Sequence, residues 1–70
     1  MQEDIRKLMR ATPFVPFTLF MTDGRSFGIP TSDHIFIYPS GLIVVEDDKG
    51  VVNLLPPVQV AGVETQSPAA

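Results

Sequence analysis

Asp33 and His34 stand side by side, and His34 is the only histidine in the chain. An imidazole next to a carboxylate could act as a general base or as a metal ligand, so such a role has to be considered for this pair. A working centre also needs a nucleophile, a second carboxylate or further metal ligands converging on the pair, and no residue is placed by spacing to supply them. We therefore expect His34 to be structural or solvated and the chain not to be an enzyme, with a centre at Asp33/His34 kept as the remote alternative. Asp47-Asp48-Lys49-Gly50 begins like a calcium loop, but the alternating oxygen ligands and closing glutamate of such a loop are missing. Asp and Gly serve tight turns for backbone reasons, so this stretch reads as a hairpin turn. There is no Gly-rich phosphate cradle and no cysteine, so no cofactor, thiolate metal site or disulfide is expected.

The charged residues suggest contact more than catalysis. Arg6, Lys7 and Arg10 fall together near the N-terminus, Arg25 sits in a turn, and Lys49 completes the five basic residues. The first three read as a solvated helix face that suits the helix dipole; with Arg25 they are also the candidates for touching an acidic partner or an RNA backbone. The formal charge of −3 weighs against RNA, as does the lack of aromatic interleaving on the basic segment. Most of Phe14, Phe17, Phe20, Phe27, Phe36 and Tyr38 belong in a core by default. Phe20 and one of Phe36 or Tyr38 cannot share the core face with their strand neighbours, so Phe20, Phe36 and Tyr38 are the interface candidates.

These residues must be positioned by one helix and a series of short strands. Met1, Ile5, Leu8 and Met9 recur at helical spacing, Glu3 and Asp4 precede Lys7 and Arg10, and Thr12-Pro13 stops the pattern, which predicts a helix over about 2–11. Pro13 to Pro30 then carries the main fold signal, two apolar runs around Asp23-Gly24. A two-residue loop there would put Phe20 opposite Phe27. A three-residue loop, Thr22-Asp23-Gly24 with Gly24 at positive φ, gathers Phe17, Leu19 and Met21 on one face with Arg25, Phe27 and Ile29, and is preferred. Phe20 then points the other way, toward Ser26.

Further strands are expected at Ile35–Tyr38, Leu42–Glu46, Val51–Leu55 and Val58–Glu64, with Ser32 or Asp33 capping a single helical turn before the first of them. The β-branched run Leu42–Glu46 reads as a strand buried on both faces. Gly28, Gly41, Gly50 and Gly62 are candidate bend or bulge points. The fold class is therefore α+β, mainly β: a short N-terminal helix and a five- or six-stranded antiparallel meander, closing as a bent sheet or small barrel because short open sheets leave edges unpaired. A single domain over 1–64 with a frayed tail over 65–70 is expected.

Ile5-Arg6 and Leu8, Pro13-Phe14, Pro16-Phe17, Asp23-Gly24-Arg25, Pro30, Pro39-x-Gly41 and Asp47-Asp48-x-Gly50, taken in order, resemble a group of small uncharacterised bacterial proteins of about this length. The likeness spans nearly the whole chain to Glu64; it implies a free-standing bacterial protein and supplies no activity. The helix followed by Leu19-Phe20-Met21-Thr22-Asp23-Gly24 is also similar in architecture to bacterial Sm-like RNA chaperones, which implies a small barrel, ring assembly by strand pairing and an alternative role in RNA binding. Pro56-Pro57-Val58-Gln59-Val60 stands where those proteins carry their Lys-His pair, so their uridine-binding residues have no counterpart.

Seventy residues without a disulfide bury a modest core. A hydrophobic share of 44% and a mean hydropathy of +0.20 are high for such a chain. The leading expectation is a protein–protein interaction or self-assembly module, a homo-oligomer or the partner of another protein. No run of about 18 apolar residues exists to meet a membrane. The N-terminus lacks a secretory pattern, so a cytoplasmic location is expected.

Overall fold

The computed structural model describes residues 2–66; Met1 of the apolar stripe and positions 67–70 of the expected tail lie outside the described residues. A helix α1 (Gln2–Arg10) is followed by β1 (Phe17–Met21), β2 (Ser26–Ile29), a 3-10 turn (Ser32–His34), β3 (Ile35–Ile37), β4 (Ile43–Glu46), β5 (Val52–Leu55), a second 3-10 turn (Pro57–Gln59) and β6 (Val60–Thr65). The fold is mainly β. Its six antiparallel strands form two three-stranded sheets, ordered β2-β1-β6 and β3-β4-β5.

Loop chemistry sets the local register. In the β1–β2 hairpin the Met21 N–H donates to the Arg25 carbonyl (2.8 Å), the Gly24 N–H donates to the Met21 carbonyl (3.1 Å), and Gly24 has φ +93°. This is the three-residue loop, and it places Phe20 opposite Ser26 and Leu19 opposite Phe27. The device recurs twice, with Gly41 (φ +101°) closing the β3–β4 turn and Gly50 (φ +77°) closing the β4–β5 turn. In each case a residue without a Cβ occupies the left-handed conformation that the turn requires. Gly28 and Gly62 have no positive φ, although β6 does carry a bulge next to Gly62, where Ala61 is the extra residue between Val60 and Gly62.

Alternation then builds the core. Phe17, Leu19, Met21 and Ile29 from the first sheet meet Ile35, Ile37, Ile43, Val45 and Leu55 from the second, and Ile5 of α1 is fully buried among them with Leu8 and Met9 packed alongside. A nine-residue helix is unstable alone in water, so this docking is what holds α1 in place.

Several expectations are corrected. The sheets do not close into a barrel: Pro30, which has no N–H, and the 3-10 turn at Ser32–His34 separate β2 from β3, and Pro56-Pro57 separates β5 from β6. The strands are not one continuous meander either, since β2 does not pair with β3 nor β5 with β6, and β6 pairs with β1. β4 is buried on one face only: Ile43 and Val45 are buried, Val44 is half-buried and Glu46 is exposed. The cap of the first 3-10 turn is Thr31, whose hydroxyl oxygen accepts the Asp33 N–H, and not Ser32 or Asp33. β6 ends at Thr65, and the Gln66 N–H donates to the Pro16 carbonyl (3.0 Å).

Candidate functional site

Strand alternation dictates the outer face of the second sheet. Ile35 and Ile37 point inward, so Phe36 points outward, and the register lines up Phe36, Val44 and Leu54 in one row across all three strands. Tyr38, two residues beyond Phe36, lies on the same face, its ring meeting that of Phe36 edge-on at 5.0 Å and 82°. Val52 stands opposite Glu46 at the far end of β5. Phe36, Tyr38, Val52 and Leu54 are 54%, 47%, 60% and 62% exposed. The Arg6 guanidinium donates to the Tyr38 carbonyl (3.1 Å), tying α1 to the rim of this face.

The outer face of the first sheet is different. Phe20, 39% exposed, lies between Ser26 and Gly62, and Thr18 lies between Gly28 and Glu64. Phe20 is thus a lone ring among small and polar neighbours. The structure brings Phe36 and Tyr38 together and sets Phe20 on the other sheet. Only one of Phe36 and Tyr38 is expected outward from the sequence, whereas a two-residue period puts both on one face. Val52 and Leu54 are not among the expected interface residues. Their signal was present: no charged residue occurs from Val51 to Val63, so the edge strand β5 carries none of the charges that usually protect an edge.

The basic residues divide between two elements. Arg6, Lys7 and Arg10 share α1, with Lys7 beside Val63 and Thr65 of β6. Arg25 is held in its own hairpin, 2.8 Å from Asp23 and 5.5 Å from the centre of the Phe27 ring. The Arg25 main-chain N–H first, and then its side chain, hold the Asp23 carboxyl below the usual range. Asp47 is lowered likewise, chiefly by the Val51 N–H, then by the Asn53 amide and the Lys49 N–H.

His34 is half-buried, with its Nδ1 hydrogen-bonded to the Thr31 hydroxyl at 2.8 Å. Among the described residues no group of three His, Cys, Asp or Glu side chains could hold a metal ion. No helix among them is long and apolar enough to cross a membrane. Compared with known family models, curated proteins and solved structures, the chain matches none.

Proposed function

We propose that this protein is an interaction module that self-associates through the outer face of its second sheet, with Phe36, Tyr38, Val44 and Leu54 as the contact. The observation that carries this reading is the row Phe36–Val44–Leu54 with Tyr38 packed on Phe36. Among the described residues, four of the seven exposed large apolar side chains, Phe36, Tyr38, Val52 and Leu54, lie on this one face. Aromatic rings bring area at small cost in side-chain entropy, which suits them as anchors. A charge-free edge strand beside them adds unpaired backbone groups to the same surface.

Absolute mass in solution by light scattering, at low and high salt, tests it. A dimer or larger assembly, insensitive to salt, is expected for the native chain. Phe36→Asp and Leu54→Lys should each yield a monomer with an unchanged circular dichroism spectrum, and Phe20→Asp should leave the mass as it was. A monomer at every concentration would remove this reading. Oligonucleotide binding that falls steeply with salt and depends on Arg6, Lys7 and Arg10 would replace it with the RNA alternative.

A further inference from the structure

We infer that the open seam between the two sheets is a binding site for an extended, lysine- or arginine-bearing segment of another protein, which adds as a further strand to the free edge of β2. The site is separate from the row Phe36–Val44–Leu54, although Glu46, at the end of β4 and on the same face as that row, borders both. Where a barrel would have closed there is a cleft of about 600 Å³, bounded by β2 and Pro30 on one side and by Glu46 to Lys49 on the other, with His34 in its lining.

β2 is an edge strand, with β1 on one side only. The hydrogen bond from Met21 to Arg25 fixes which residues face β1: Arg25, Phe27 and Ile29 turn their main-chain groups inward, so Ser26 and Gly28 turn theirs outward, to the cleft. Two N–H and two C=O groups are thus offered at the spacing of a strand, the arrangement that strand addition uses. A Cβ built on Gly28 would meet nothing within 4 Å, so the outer face of the sheet is uncovered at this point of the edge. Pro30 ends the edge.

Charge selects the occupant. The opposite wall brings three carboxylates, Glu46, Asp47 and Asp48, against the single ammonium of Lys49. Asp47 is engaged in its own turn, while Glu46 and Asp48 have no ion-pair partner among the described residues. Such a wall repels phosphate and attracts cationic side chains, which favours a basic peptide over a nucleic acid. A second copy of this chain fits poorly, because none of β1 to β6 contains a lysine or arginine.

The test is a titration of ¹⁵N-labelled protein with a capped peptide of alternating lysine and valine, and separately with its glutamate–valine counterpart, at low salt. The lysine peptide should shift the Ser26 and Gly28 amides and slow their hydrogen exchange, and the glutamate peptide should not. The paired reversal Glu46→Lys with Asp48→Lys should weaken the lysine peptide at least about tenfold and admit the glutamate one. Gly28→Pro, which removes one outward donor, should weaken binding by about fivefold to tenfold. If that variant loses its dispersed amide spectrum, the charge reversal decides alone. The inference is overturned by equal binding of the two peptides, or by unmoved Ser26 and Gly28 amides at millimolar peptide. It is overturned equally if those amides become protected with rising protein concentration alone, or by an oligonucleotide.

Discussion

Asp47 shows how much one side chain does in a chain of this size. Its Oδ1 accepts the N–H groups of Lys49 and Val51, both at 2.9 Å, and its Oδ2 lies 3.3 Å from the Asn53 amide, so one carboxylate latches the whole β4–β5 turn. Its pKa is lowered in the fold, chiefly by the Val51 N–H. The stabilisation is therefore complete above the ordinary carboxylate value of about 3.9 and is lost as the pH falls through the lower folded-state value. The thermal midpoint of the native chain should thus drop more between about pH 5 and pH 2 than that of Asp47→Asn, which keeps an oxygen acceptor but does not titrate. Parallel slopes in a melting series would show that the latch is not electrostatic. The closing glycine of the same turn gives a second residue-level test. Gly50 sits at φ +77° in open space, so Gly50→Ala should cost roughly 1–2 kcal/mol from backbone conformation alone. Gly28→Ala, without a positive φ and equally uncrowded, should stay within about 0.5 kcal/mol in the same denaturant titration.

At the scale of elements, the second sheet has two faces with opposite duties, and neighbouring strands separate them. Ile43 on β4 is fully buried, whereas Leu54 on β5 is 62% exposed. Ile43→Ala should destabilise the fold by about 2–5 kcal/mol, while Leu54→Ser should change chemical stability little at concentrations too low for association and act on assembly instead. Denaturant midpoints at low protein concentration check the contrast; similar losses for both variants would mean that the outer face is covered by the chain itself. What could be read from the sequence follows the same division. The β1–β2 register was legible because Gly24 fixes the loop length, and loop length fixes which side chains share a face. The turns at Gly41 and Gly50 were legible for the same local reason. The division into two sheets was not, since which strand edges stay unpaired leaves no mark in the strands themselves. Barrel closure was misjudged because Pro30 and the Thr31-capped turn, each read as punctuation between strands, together keep β2 from meeting β3. Within the candidate surface, Phe36 and Tyr38 were visible as aromatics, but Leu54 needed the three-strand register before it joined them.

For the whole molecule, the deciding consideration is size. A chain of 70 residues has a folding free energy of about 4–10 kcal/mol at ordinary per-residue values, and it has no disulfide to raise that. A contact that exists only between folded copies stabilises the fold by mass action, so a self-associating domain should melt at a temperature that depends on its own concentration. For a dimer that dissociates as it unfolds, each tenfold rise in concentration adds about 0.7 kcal/mol per chain, which for a domain this small moves the midpoint by roughly 3–5 °C. The native chain should show that slope by scanning calorimetry, and Phe36→Asp should abolish it and melt at one temperature throughout. A flat response from the native chain would mean that the outer aromatics add nothing to folding. The β2 edge leads to a separable effect, because a peptide in the seam stabilises by its own affinity and not by protein concentration. Adding the lysine–valine peptide to Phe36→Asp should therefore raise its single midpoint without restoring the slope. If the peptide restored the slope instead, occupancy of the seam and association of the second sheet would be one event and not two.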